Sequence, residues 1–154
     1  MKKIFSSILL GLIICFCLVG CDSNTNKSYT FNVETGDVIK ITMNTSDSYN
    51  LTSSLPIEFS KDDSIISQGT FIKEEDYNSY ESTLKNNSDD SVNILDEGSK
   101  NGITYIFYNV NSNNESEYDY VIKIDGSNTA FVIENNISQE SAEDIFNRLT
   151  FEVQ

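Results

Sequence analysis

Ile39, Ile41 and Met43 alternate with Lys40, Thr42 and Asn44 in the stretch VIKITMN, and this two-residue period limits the folds open to the chain. A period of two places alternate side chains on opposite faces of a strand, so a chain that repeats it must bury one face of a sheet. The pattern returns in YDYVIKI (118–124), with Tyr118, Tyr120, Ile122 and Ile124 on one face and Asp119 and Lys123 on the other. GITYIFYNV (102–110) is apolar on both faces, as expected of a strand in the middle of a sheet covered from two sides. LPIEFS and SIISQGTFI flank the polar turn Lys61-Asp62-Asp63 and predict a hairpin. Asp125-Gly126-Ser127-Asn128 supplies turn chemistry before the strand TAFVIE, and TFEV closes the chain as a short strand.

Two segments switch to a helical period. In EEDYNSYESTLKN, Tyr77, Tyr80 and Leu84 form one stripe, with Glu74, Glu75 and Asp76 at the N-terminal end and Lys85 near the C-terminal end, as the helix dipole favours. Glu81 and Lys85 form a favourable i,i+4 pair. In the second, Ser138 is placed to cap a helix whose buried face is Ala142, Ile145, Phe146 and Leu149, with Ile137 stapling back onto Ala142. NNSDDS and NVNSNNESE read as surface loops. Helices covering an antiparallel sheet predict a single α+β domain over residues 29–154, an antiparallel β-sheet with two helices packed on it.

The N-terminal residues carry a different signal. Lys2 and Lys3 precede an apolar run from Ile4 to Gly20, and Asp22 with a polar Asn/Ser/Thr stretch follows it directly. A basic start, an apolar middle and a small-residue end describe a secretory signal peptide rather than a span. Leu18-Val19-Gly20-Cys21 resembles the lipobox of bacterial lipoproteins. The resemblance implies a cleaved leader over residues 1–20 and a Cys21 that carries diacylglycerol and becomes the new N-terminus. Residues 21–28 are then the lipidated cysteine and a flexible tether. Two acyl chains, at about 0.8 kcal/mol per buried CH₂, hold a protein stably at a membrane. The expected address is the extracytoplasmic face of a bacterial cell membrane. Cys15 and Cys17 leave with the leader, so no cysteine remains to pair within the domain.

Charge and residue absences narrow the function further. The net charge of −14 becomes more negative once Lys2 and Lys3 are lost, and such a surface repels nucleic acid. The chain has no His, which removes Ser-His-Asp and Cys-His catalysis and the usual zinc sites. No glycine pattern for a nucleotide cofactor occurs, and no cofactor is expected. Carboxylates remain: Asp62-Asp63, Glu74-Glu75-Asp76, Asp89-Asp90 and Asp96-Glu97 are adjacent acids that would suit a carboxylate-dependent envelope hydrolase, although acids in this arrangement more often sit in solvated turns and helix starts. NNSDDS and NSNNESEYD offer hard oxygen ligands for a calcium-dependent module, without EF-hand spacing. Tyr105, Tyr108, Tyr118 and Tyr120 are candidates for a ligand surface lining one sheet face, although alternating strand tyrosines more often pack in a core. The leading expectation is a non-enzymatic accessory or binding lipoprotein, its partner an envelope protein or glycan.

The order of elements also resembles the PsbP-like family. An early strand pair near Leu55-Pro56, a middle helix, a run of antiparallel strands and the closing AEDIFNRLTFEV, with Leu149-Thr150-Phe151 at the helix-to-strand junction, carry the resemblance. The Trp often found after the early Pro in that family is missing here. The resemblance implies helices on both faces of an antiparallel sheet and an accessory role, with no catalytic residues to carry over.

Overall fold

The computed structural model describes residues 25–112 and 115–154. The expected leader, residues 1–20, and Cys21 lie outside the described residues. The described chain runs β1 (Asn26–Asn32), β2 (Val38–Asn44), β3 (Tyr49–Leu51), β4 (Ile57–Lys61), β5 (Ser64–Lys73), α1 (Glu74–Lys85), β6 (Val92–Lys100), β7 (Ile103–Ser112), β8 (Glu115–Ile124), β9 (Thr129–Glu134), α2 (Gln139–Asn147) and β10 (Leu149–Val153). The strands form two antiparallel sheets, one of three in the order β1-β2-β10 and one of seven in the order β3-β4-β5-β9-β8-β7-β6. This is a sheet-rich α+β architecture.

The alternating residues bury as their period requires. Ile39, Ile41 and Met43 of β2 join Phe59, Phe107, Tyr120, Ile122, Phe131 and the α2 face Ala142-Ile145-Phe146 in the main core, between the large sheet on one side and α2 with the small sheet on the other. The opposite face of the large sheet is covered by α1, where Tyr77 packs on Ile106, Tyr108, Val121, Ala130 and Val132. At the centre of the main core three rings stack in series: Phe107 on Tyr120 at 4.2 Å between centroids, and Tyr120 on Phe146 at 4.0 Å. Phe107 and Tyr120 are direct cross-strand partners, so pairing register and ring stacking fix each other. Ser138 caps α2, its Oγ accepting from the Ser141 amide at 3.1 Å. Asp62 and Asp63 make the predicted β4–β5 turn with φ of 48° and 62°, the left-handed conformation that two-residue hairpin turns favour.

Gly69 in β5 is required by packing. A Cβ added there would stand 2.6 Å from Cε1 of Phe131 and 3.0 Å from Cε2 of Phe59, both fully buried rings. Gly69→Ala is expected to destabilise the protein by about 2 kcal/mol, as overpacking does in close-packed cores. A urea midpoint unchanged from wild type would show that the two rings have room to yield.

A second structural knot ties the two turns at the far end. One oxygen of Asp37 accepts from the Thr129 hydroxyl at 2.7 Å, the Asn128 amide at 2.9 Å and the Thr35 hydroxyl at 3.0 Å. These donors, Thr129 first, hold its carboxyl below the usual range.

Several expectations are corrected. Asn26, Lys27 and Ser28, placed in the tether by their polarity, are the first residues of β1, where Lys27 pairs with Met43. β6 is not evident as an alternating stretch because it is a bulged edge strand, its register skipping Leu95 between Ile94 and Asp96. NVNSNNESE is largely strand rather than loop, since β7 continues to Ser112 and β8 starts at Glu115. Tyr80 is exposed and Glu81 takes its place beside Tyr77 and Leu84, because the i, i+4, i+7 row meets the sheet. Ile137 does not staple back onto the helix; it is 59% exposed.

Candidate functional site

The site arises where β9 stops pairing with β8. The two strands are in register from Lys123↔Ala130 to Tyr120↔Ile133, and the Tyr118 amide then donates to the Asn135 carbonyl at 2.7 Å. At Asn135 the chain turns away. This residue is only 1% exposed, and every polar group of its side chain is used. Its Nδ2 donates to the Ile66 carbonyl and to Ser141 Oγ, both at 3.0 Å, and its Oδ1 accepts from the amides of Ile137 and Ser138 at 3.0 and 3.2 Å. Asn135 therefore diverts the chain into α2, and among the described residues, residues 115–117 of β8 keep β7 as their only strand partner.

Two adjoining clefts open beside that unpaired edge. One, of about 630 Å³, is lined by Val110, Glu115, Glu117, Tyr118, Asn136 and Ile137 among others. The other, of about 300 Å³, is lined by Ile65, Gln68, Glu117, Glu134 and Asn136 among others. Ile65 and Ile137 stand on the rim, 53% and 59% exposed. Among the described residues no Lys or Arg lines either cleft.

Asp119, which lines neither cleft, is a buried acid next to Glu117 and Glu134. The register places it opposite Glu134 on β9 and Tyr108 on β7, and two residues from Glu117, so the three acids project from one face of the sheet. Asp119 is 6% exposed, and its Oδ1 has no hydrogen-bond partner. Burial, reinforced by the charges of Glu117 and Glu134, pushes its carboxyl up to about 7, partly offset by the Asn135 amide and the Tyr108 hydroxyl. Burial and the same carboxylate push the Tyr108 hydroxyl up in turn.

The clefts share an end of the molecule with the point where the chain enters the domain. β5 starts there, β7 and β9 end there and β8 starts there. β2 ends there too, and the Thr45 amide donates to the Thr25 carbonyl just before β1. The turn that follows β2 is held by Arg148, the single arginine of the chain. Its Nη1 donates to the Ser46 carbonyl at 3.1 Å and Ser46 Oγ at 3.0 Å, its Nη2 to Asp47 at 3.0 Å, and its guanidinium lies 3.8 Å from the Tyr49 ring centroid. The Tyr49 hydroxyl donates to Asp144 on α2 at 2.9 Å.

The four tyrosines proposed as one surface do not share a face. Tyr105, Tyr118 and Tyr120 point into the main core, and Tyr108 points the other way, against Tyr77 under α1. The reason is parity: Tyr105 and Tyr108 are three residues apart on one strand, an odd step that reverses the side-chain direction. Tyr108 and Tyr120 are buried, and the Tyr105 hydroxyl is occupied by Asp96 at 2.9 Å.

The adjacent acids are likewise dispersed into structural roles. Glu74 pairs with Lys123 at 2.6 Å, Asp76 accepts from the Lys73 amide at 3.2 Å, Asp89 accepts from the Ser91 amide at 2.9 Å and Glu97 pairs with Lys85 at 3.3 Å. None of those runs has two members in one cleft. Among the described residues no group of three or more His, Cys, Asp or Glu side chains is arranged to hold a metal ion. The acids that do gather come from two strands, Glu117 and Asp119 from β8 and Glu134 from β9. The usable signal in the sequence was Val121, whose presence between Asp119 and Lys123 marks that face of YDYVIKI as partly buried. No protein-family model matches the chain, and no curated protein matches it in sequence.

Proposed function

We propose that this protein is a lipid-anchored, non-enzymatic binding module of a bacterial cell envelope, held at the outer face of the cytoplasmic membrane through Cys21, with a domain of the PsbP-like type. The lipobox stretch Leu18-Val19-Gly20-Cys21 supports the anchor. Helices on both faces of an antiparallel sheet support the finer fold assignment. The observation that carries the binding role is the pair of clefts beside residues 115–117, with exposed isoleucines on the rim and carboxylates that no base neutralises.

Two measurements test this reading. Cys21→Ser is expected to abolish metabolic labelling by a fatty-acid probe; labelling that persists overturns the anchor. A photo-crosslinking residue at Ser116, beside the cleft, is expected to capture an envelope component in membranes, whereas one at Leu55, on the β3–β4 loop, is not. Equal capture at both positions, or glycan turnover by the purified protein that is lost in acid-to-amide variants, overturns the binding-module reading.

A further inference from the structure

We propose that two copies of this chain pair antiparallel through the bulged edge strand β6, about a two-fold axis between Leu95 and Asp96. The two seven-stranded sheets then become one. This pairing is independent of the clefts beside β8.

The two ends of β6 fix which of its backbone groups face outward. At one end the Asn111 amide of β7 donates to the Ser91 carbonyl at 2.7 Å, so Ser91, and Asn93 after it, face β7. At the other end Asn101 and Gly102 form a two-residue turn with φ of 49° and 77°. Such a turn makes Lys100 and Ile103 a hydrogen-bonded pair, so Lys100, Gly98 and Asp96 face β7 as well. The outward residues are therefore Val92 and Ile94 before the bulge and Glu97 and Ser99 after it. The Val92 amide is spent on the Asp89 carbonyl at 3.1 Å, and among the described residues no loop bonds to the outward groups of Ile94, Glu97 and Ser99.

The bulge selects the occupant. It leaves two residues, Leu95 and Asp96, between the outward Ile94 and Glu97, where a regular strand has one. A regular strand laid on this edge matches one side of the bulge and falls out of step on the other, which is how bulged edges resist pairing. A second β6 running the opposite way carries the same slip at the same place. Ile94 then meets Glu97 of the second copy and Val92 meets Ser99, because the axis makes both sides identical.

The side chains agree with this register. Ile94 and Leu95, 38% and 39% exposed, both fall inside the paired stretch. The two acids beside the axis are held within their own domain, Glu97 by Lys85 at 3.3 Å and Asp96 by the Tyr105 hydroxyl at 2.9 Å. At each end Lys100 comes opposite Ser91 and next to Asp90, which forms no ion pair among the described residues. The net charge of −14 on each copy opposes association, but salt screens it beyond about 8 Å at physiological ionic strength. The axis also sets the two chain entries, each at the end where β6 starts, at opposite ends of the pair. Pairing and an upright stance on one bilayer therefore exclude each other.

The test uses the full chain in detergent micelles, which leave orientation free, at about 0.15 M salt. Sedimentation is expected to show a dimer whose share grows with protein concentration. Ile94→Pro, which removes an outward N–H and no bond to β7, is expected to weaken association by about tenfold or more with the urea midpoint retained. Leu95→Cys is expected to form a disulfide-linked dimer on mild oxidation. Leu55→Cys, at the opposite edge of the sheet, is not, with wild type as the blank for Cys21. A monomer at every concentration, a dimer that survives Ile94→Pro, or equal cross-linking at the two positions would overturn the pairing. If Ile94→Pro lowers the urea midpoint, the two cysteine variants decide alone.

Discussion

Asp119→Asn raises the stability of the protein at pH 9 by roughly 3–4 kcal/mol and leaves it nearly unchanged at pH 4. In the unfolded chain an aspartate titrates near 3.9. In the fold, burial between Glu117 and Glu134 moves this carboxyl up to about 7. Between those values the folded state holds a proton that the unfolded state has released, so stability falls as pH rises through the window. Above it, the folded protein carries the full penalty of a buried charge. An amide of the same shape stays neutral throughout and can still accept from the Asn135 amide. The measurement is urea denaturation followed by tyrosine fluorescence at both pH values, comparing variant with wild type rather than following wild type alone. Asp37 works in the opposite sense: its carboxyl is held low by hydrogen bonds, and the stability it contributes at neutral pH is lost on acidification. A gain at pH 4 as large as that at pH 9 would show that packing, not charge, sets the behaviour of Asp119.

Arg148→Met destabilises the protein by about 3 kcal/mol, and Arg148→Lys recovers less than half of that. Asp47 and Ser48, which follow β2, have φ of 59° and 65°, a left-handed pair without a glycine. Two such residues cost about 1 kcal/mol each or more and persist only where their surroundings hold them. The guanidinium holds them. It reaches the Ser46 carbonyl and hydroxyl with one nitrogen and Asp47 with another, with its flat face on Tyr49. The side chain is largely buried and Asp47 is exposed, so the loss comes from the backbone contacts and ring packing more than from the ion pair. A lysine is a point donor and cannot reproduce a fork and a stacked plane together. For a domain of this size the loss corresponds to about 10 °C in Tm. A change of less than 2 °C in Arg148→Met would mean that the turn holds itself.

Much of the fold was legible because burial and period coincide. VIKITMN places its buried residues on the expected face, TAFVIE is the strand that the turn before it announces, and Ser138 caps the helix that its spacing to Ala142 predicts. What escaped did so for identifiable reasons. β6 breaks its own alternation with a bulge, and β3 is three residues long, too short to show a period. Asp119 reads as solvent-facing beside Lys123, with Val121 the one local hint to the contrary, because most of what buries it comes from the neighbouring strands: Tyr108 from one side and the end of β9 from the other. The cleft is invisible for a related reason. It exists because Asn135, one polar residue in a short loop, spends all its hydrogen bonds turning the chain out of the sheet.

The common position of the clefts and the chain entry at Thr25 has a further consequence if Cys21 carries the proposed lipid. Residues 22–25 reach no farther than about 15 Å even when fully extended. The bilayer would then form the second wall of a narrow gap with the cleft opening into it. Confinement to the same plane would also raise the encounter frequency with any membrane-attached partner, so that even a weak contact could reach occupancy.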